Sequence, residues 1–152
     1  MKVVLVNPQI PQNTGNVVRT CSVTGFDLVL VRPLGFSIND RWLKRAGLDY
    51  WEGVNIQIID SLEEILNETA CSFYFFSSKA QTNYVDVRYQ PNDYLIFGSE
   101  THGLPPQFFK NWPQQFAKIP MLPNARCLNL ATSVGIVAYE AWRQQNFQNL
   151  LT

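Results

Sequence analysis

The chain has 152 residues, of which 46% are hydrophobic, 13% aromatic and 16% charged, with 12 basic and 12 acidic side chains and a pI near 6.6. This length and apolar content predict one globular domain over residues 1–152 and exclude a disordered chain. Zero net charge excludes a basic field over the whole surface, so any nucleic-acid contact must come from a local patch, most simply one assembled across two subunits.

Cys21, Cys71 and Cys127 are odd in number and widely spaced, which suits neither a disulfide framework nor a zinc site and points to a reducing, cytoplasmic setting. No other metal motif is present. The apolar run behind Lys2 is too short for a signal-peptide core, and no run reaches the roughly 18 residues of a membrane span.

In chain order, Lys2–Val6 is a short continuous apolar run and reads as a central parallel strand. Residues 9–16 read as a polar loop, and residues 14–24 as a helix with Val17, Val18 and Cys21 facing the core. Asn16 and Arg19 share its other face, and Gly25 ends it. Residues 28–31 form the second strand. Residues 40–46 read as a short helix with Arg41, Lys44 and Arg45 on one basic face. Ile56–Ile59 is the third strand, and Ser61 with Glu64 suggests a capping box opening a helix over 62–68. Phe73–Phe76 is the fourth strand, followed by a patternless loop over 80–92. Tyr94–Phe97, one helical turn at 105–109, a strand at 116–119, a polar loop at 120–129 and a helix over 130–145 complete the chain. Ala131, Gly135 and Ala138 line one stripe of that last helix, which permits close packing. The alternation predicts an α/β fold with a mainly parallel sheet flanked by helices.

Three polar stretches stand out. Asn13-Thr14-Gly15-Asn16-x-x-Arg19 at a helix start suits an anion site, with Arg19 able to hold a phosphate or polarise a hydroxyl; it equally suits an N-cap beside a solvated arginine. Gly98-Ser99-Glu100-x-x-Gly103 follows an apolar strand, as where α/β folds present backbone N–H groups to ligands. Glu100 could accept from a substrate, orient Arg19, or simply favour a helix start. His102 invites a general-base role, but no Asp or Ser is placed by sequence to orient it. In the third stretch, Ile119-Pro120-Met121 leads to Arg126-Cys127-Leu128-Asn129, where Asn129 could cap the last helix and the loop could wrap a ligand. No GxGxxG or P-loop is present.

Taken together, the stretches PQIPQNTGNVVRTC, PLGF, RAGLDY, DYLIFGSETHGLP, KIPM, RCLNLATSV and YEAWRQ resemble the SPOUT-class RNA 2′-O-ribose methyltransferases over about residues 1–145. The subgroup most similar is that of the small tRNA (cytidine(34)-2′-O)-methyltransferases. The resemblance implies a deep trefoil knot near the C-terminus, S-adenosyl-L-methionine held in a bent shape by three loops, and a homodimer acting on the tRNA anticodon stem-loop. Cofactor contacts implied by position are Phe76, Ser77, Gly98, Glu100, Gly103, Ile119, Met121, Cys127 and Leu128. Catalytic roles fall to Arg19, Glu100 and Asn129, with no metal. Asn16, Arg19, Arg41, Lys44 and Arg45 are candidates for RNA contact, and Tyr50 and Trp51 for stacking on unpaired bases. The chain departs from the subgroup in two places: Cys127 stands where serine is usual, and His102 where arginine is common. Another tRNA position, an rRNA target, a non-catalytic RNA-binding protein on the same fold, or a nucleotide-binding α/β enzyme are the competing expectations.

Overall fold

The structure is a computed structural model that describes residues 1–39, 41, 45, 51–67 and 70–148. The apolar runs become β1 (Lys2–Val6), β2 (Asp27–Val31), β3 (Ile56–Ile59), β4 (Phe73–Phe76), β6 (Tyr94–Phe97) and β7 (Phe116–Lys118), joined by a two-residue strand, β5 (Thr82–Asn83). They form one sheet in the order β3-β2-β1-β6-β4-β7-β5. Every pairing is parallel. The described helices are α1 (Pro11–Thr24), α2 (Glu63–Leu66), α3 (Pro106–Asn111) and α4 (Leu130–Gln144).

Helices cover both faces, which is why β1 and β2 are apolar and buried at every position after their first residues, Lys2 and Asp27. On one face Val3, Leu5, Leu28, Leu30, Leu95 and Phe97 meet Val17, Val18 and Cys21 of α1 and Val134, Val137, Ala138 and Ala141 of α4. On the other, Val4, Val6, Val29, Val31 and Ile96 meet Ile65 of α2 and Phe108 of α3. Each fully buried aliphatic side chain contributes about 1.5–3 kcal/mol. Burial pushes the Cys21 thiol up to about 12, so this cysteine is a packing residue and an unreactive one.

Several expectations shift. Helix α1 starts at Pro11, three residues before the expected position, because proline at the first helical position needs no N–H partner. Gly25 ends it in the left-handed conformation, φ +72°. The capping box at α2 is half formed: Glu64 accepts from the Ser61 N–H at 3.2 Å, but the Ser61 hydroxyl turns to Glu63. The described helix there is Glu63–Leu66, and residues 68 and 69 lie outside the described residues. Arg41 and Arg45 are helical and exposed, while Lys44, the third residue of the expected basic face, and Tyr50 lie outside the described residues. Trp51 opens a 3-10 turn.

The supposed patternless segment 80–92 holds β5 and is strapped to α4. Gln144 accepts from the Tyr89 N–H at 3.0 Å and donates to the Val87 carbonyl at 2.9 Å. Gln145 donates to the Tyr89 carbonyl at 2.7 Å. The small-residue stripe of α4 also differs: Ala138 is buried, but a Cβ on Gly135 would meet nothing within 4 Å. Close packing on α1 therefore runs through Val134, Val137, Ala138 and Ala141.

Candidate active site

Three loops leave the carboxyl ends of β4, β6 and β7 side by side, and between them lies a cleft of about 480 Å³. This is where an open parallel sheet exposes backbone groups to a ligand. Phe76 and Phe97, one from each of two adjacent strands, stack with ring centroids 4.9 Å apart and lie along its wall. Ser77 follows Phe76, and its N–H donates to Ala117 at 3.0 Å, which ties the first loop to β7.

The second loop is a tight turn. Ser99 and Gly103 exchange two backbone hydrogen bonds, at 3.2 and 3.0 Å, and the His102 N–H donates to Ser99 Oγ at 3.0 Å. Gly103 sits at φ +64°. A Cβ on Gly98 would lie 2.2 Å from the Gly103 carbonyl carbon and 2.4 Å from the Leu104 nitrogen, so only glycine lets the turn fold back on the strand end. The third loop brings Ile119, Met121, Cys127, Leu128 and Asn129 to the cleft.

The ten residues expected in the three loops (Phe76, Ser77, Gly98, Glu100, Gly103, Ile119, Met121, Cys127, Leu128 and Asn129) all line this cleft. Arg19 and Asn16 do not. They stand exposed on α1, Arg19 six residues beyond Asn13 and therefore about 9 Å along the helix axis. Arg41 and Arg45 are likewise outside the lining. His102 is exposed and is not part of the lining either. Cys127 is a free, exposed thiol at the rim.

Glu100 is committed to the head of α1. Its Oε2 accepts from the Gln9 N–H at 2.8 Å, and its Oε1 from the Ile10 N–H at 3.1 Å and Asn13 Nδ2 at 3.2 Å. A carboxylate from a distant loop thus holds the backbone that leads into α1, whose N-cap Ile10 has no capping side chain, and its charge faces the positive end of the helix. Asn13 then accepts from Asn129 Nδ2 at 2.9 Å, and Asn129 Oδ1 caps α4 by accepting from Ala131 and Thr132 at 2.9 and 3.3 Å. The charge on Glu100 sets the direction of the whole chain. Asn13 must offer its amide nitrogen to the carboxylate, which leaves its oxygen for Asn129 and the Asn129 oxygen for the helix.

Asn13, which the sequence reading placed at a helix start in an anion-site or N-cap motif, lies instead inside the first turn of α1. It is only 7% exposed. With the helix started at Pro11, Asn13 falls one turn before Val17 on the core-facing side, and a buried amide there demands a partner. Ile10, Thr101, Leu104 and Ser133 also line the cleft without having been singled out.

This geometry, a parallel sheet with a glycine-built cleft of backbone groups at its carboxyl end, defines a ligand-binding α/β protein. The SpoU rRNA Methylase family matches residues 1–139, and the chain belongs to it. It is 42% identical to the tRNA (cytidine(34)-2′-O)-methyltransferase of Photorhabdus asymbiotica, covering 99% of this chain and 98% of that one. A solved structure bearing on the 2′-OH methylation of C/U34 on tRNA superposes with a TM-score of 0.90 at 42% identity, covering 95% of each chain. The SpoU methyltransferase AviRb from Streptomyces viridochromogenes, solved with AdoMet, shares the fold at TM-score 0.83 and 21% identity, over 96% of this chain and 60% of that one. Among the described residues no three His, Cys, Asp or Glu side chains are grouped to hold a metal, and no helix is long and apolar enough to cross a membrane.

Proposed function

We propose that this protein is a cytoplasmic, homodimeric, S-adenosyl-L-methionine-dependent methyltransferase acting on the ribose 2′-oxygen of the wobble nucleotide, cytidine or uridine 34, in the tRNA anticodon. The observation that carries the reading is the cleft itself. Its lining is drawn from four of the stretches that resemble the family, together with Phe76–Ser78, in a chain that matches a tRNA-methylating relative end to end.

The residues present fit the cofactor. Phe76, Phe97, Ile119 and Leu128 give an apolar slot for a purine, and the Gly98–Gly103 turn leaves room for backbone groups to approach a ribose. When bound, the cofactor would supply a methyl group already activated on sulfonium. The chain's own part is to hold the hydroxyl in line and to stabilise the charge that grows on it. Arg19 is the group assigned to that task, by neutralising the adjoining phosphate or the developing alkoxide, since a guanidinium is a poor base. Asn16 beside it and the exposed Arg41 and Arg45 are assigned to phosphates.

Arg19 stands outside the lining of its own chain's cleft, which supports a site completed by a second copy. The exposed apolar side chains Ile10, Val23 and Tyr139, on or beside α1 and α4, support the same arrangement. The trefoil knot is the topology that family membership implies.

The test is transfer of labelled methyl from S-adenosyl-L-methionine into unmodified tRNA, followed by nucleoside mass spectrometry. A 2′-O-methylated pyrimidine at position 34 is expected. Label at another position, or in rRNA alone, would move the target. Cofactor binding with no label in any RNA would overturn the enzymatic reading.

A further inference from the structure

The zero net charge of the chain conceals a strong partition. Residues 101–139 contain no Asp or Glu but carry Lys110, Lys118 and Arg126, and residues 70–85 add Lys79 without an acid. These segments supply most of the carboxyl edge of β4, β7 and β5. A surface with one sign of charge draws a polyanion whatever the total charge of the protein.

A second cavity of about 380 Å³ opens on this edge. The register pairs Asn83 of β5 with Lys118 of β7, so both side chains leave the sheet on one face. Lys118 makes no ion pair among the described residues. Ser78 adds a hydroxyl, and Met121 and Leu122 form an apolar ledge, with Leu122 82% exposed. Ser78, Ile119 and Met121 belong to both this cavity and the larger cleft, so whatever fills one adjoins the other.

We propose that this cavity is a second RNA subsite, taking a nucleotide that flanks the one methylated. Lys118 holds its phosphodiester, Asn83 and Ser78 meet polar atoms of the ribose or base, and the Met121–Leu122 ledge receives the base face. An ammonium, an amide and an apolar ledge together match the three parts of a nucleotide, where a free anion would leave the ledge bare. The inference rests on the RNA-methyltransferase reading, and adds the position at which the strand continues past the acceptor.

The experiment measures binding of an unmodified tRNA transcript by the full chain across a salt titration, with cofactor affinity by calorimetry and oligomeric state by sedimentation. Lys118→Gln should weaken tRNA binding about five- to eightfold at 0.1 M salt, and should lower the slope of log K against log salt by about 0.7–0.9, the signature of one lost phosphate contact. Asn83→Asp, which places a negative charge in the same cavity from the other strand, should weaken binding in the same direction. Lys2→Gln, at the opposite, amino edge of the sheet, should match the parent, and all three should keep the parent's cofactor affinity. The subsite is overturned if Lys118→Gln binds tRNA like Lys2→Gln. It is also overturned if cofactor affinity falls in step, which would make the cavity part of the cofactor cleft, or if the variants sediment as a smaller species, which would make it a contact between copies. A parent that neither binds tRNA nor transfers methyl to it removes the underlying reading, a result distinct from a parent that does both while Lys118→Gln is silent.

Discussion

Replacing Asn13 tests whether the polar chain from Glu100 to α4 holds the cleft together. Asn13→Ala deletes one hydrogen bond to a carboxylate, worth about 1.5–3 kcal/mol, and one to an amide, worth about 0.5–1.5 kcal/mol. Water reaches Asn129 at the rim and recovers part of this, so a loss of about 2–3 kcal/mol is expected. For a chain of this size that is a drop of about 4–12 °C in Tm. Asn13→Asp is the sharper variant. Ionised, the new carboxylate faces Glu100 and can no longer donate; protonated, it donates to Glu100 and accepts from Asn129 much as the amide does. Glu100 raises the folded-state pKa of the new group, so the variant's folded state binds the extra proton and its stability falls as pH rises from the unfolded value of about 3.9 through the folded one. Denaturant melts from pH 8 down to pH 5 should therefore show the Asn13→Asp deficit shrinking while the Asn13→Ala deficit stays level. A deficit for Asn13→Asp that does not change with pH would refute the hydrogen-bond chain.

The other perturbations address single links. Gly98→Ala forces a methyl onto the Gly103–Leu104 backbone, and should abolish measurable cofactor binding in calorimetry while the far-ultraviolet circular dichroism of the sheet persists. Arg19→Ala should keep cofactor affinity within about twofold and lower transfer by about 10²-fold or more, the range for removing a charge-stabilising donor; unchanged turnover would dismiss the assigned role. The Arg143 guanidinium beside Glu140 holds its carboxyl below the usual value of 4.5, so that pair stabilises the fold above pH 4.5 and the gain is lost as pH falls through the lowered value. Glu140→Gln should therefore narrow its stability gap to the parent under acid, and only slightly, because Arg143 is largely exposed and the pair is screened by solvent.

How far the fold could be read from the sequence depended on whether the governing contact was local. The strands Lys2–Val6, Phe73–Phe76 and Tyr94–Phe97 appear where the apolar runs put them, because burial on both faces leaves a continuous hydrophobic record, and the edge strand Ile56–Ile59 keeps three isoleucines around an exposed Gln57. The start of α1 was misplaced because the group that holds its entry is Glu100, about ninety residues away in sequence, and nothing near Ile10 announces it. Strand β5 is two residues long and too short to show a period. Gly35 in PLGF is explained only in three dimensions: a Cβ there would lie 2.7 Å from the Gln9 Cα, and the Gly35 N–H donates to the Pro8 carbonyl at 2.9 Å. The Gly98–Gly103 loop of the cleft was identified from its glycines, and the other two from resemblance. The network that joins them was not, since it depends on which amide is buried.

That network bears on how the acceptor hydroxyl loses its proton. Three N–H donors already occupy Glu100, which leaves little of its carboxylate to face a substrate. His102 is the only imidazole in the chain, yet it is exposed at the far side of the Ser99–Gly103 turn, outside the cleft lining. If it were the general base, His102→Ala would lower kcat by about 10²–10⁴-fold. The geometry instead predicts a kcat within about twofold of the parent at saturating tRNA, with cofactor affinity unchanged, because the substitution leaves the Ser99–Gly103 backbone pair and the His102 N–H bond to Ser99 in place. Single-turnover transfer at pH 6 and pH 8 separates the two cases. A general base at position 102 would steepen the parent's pH dependence relative to the variant, whereas rate set by in-line placement and by the charge of Arg19 leaves the two profiles parallel. A hundredfold loss in His102→Ala would return the proton to the imidazole and make the turn, not α1, the centre of the chemistry.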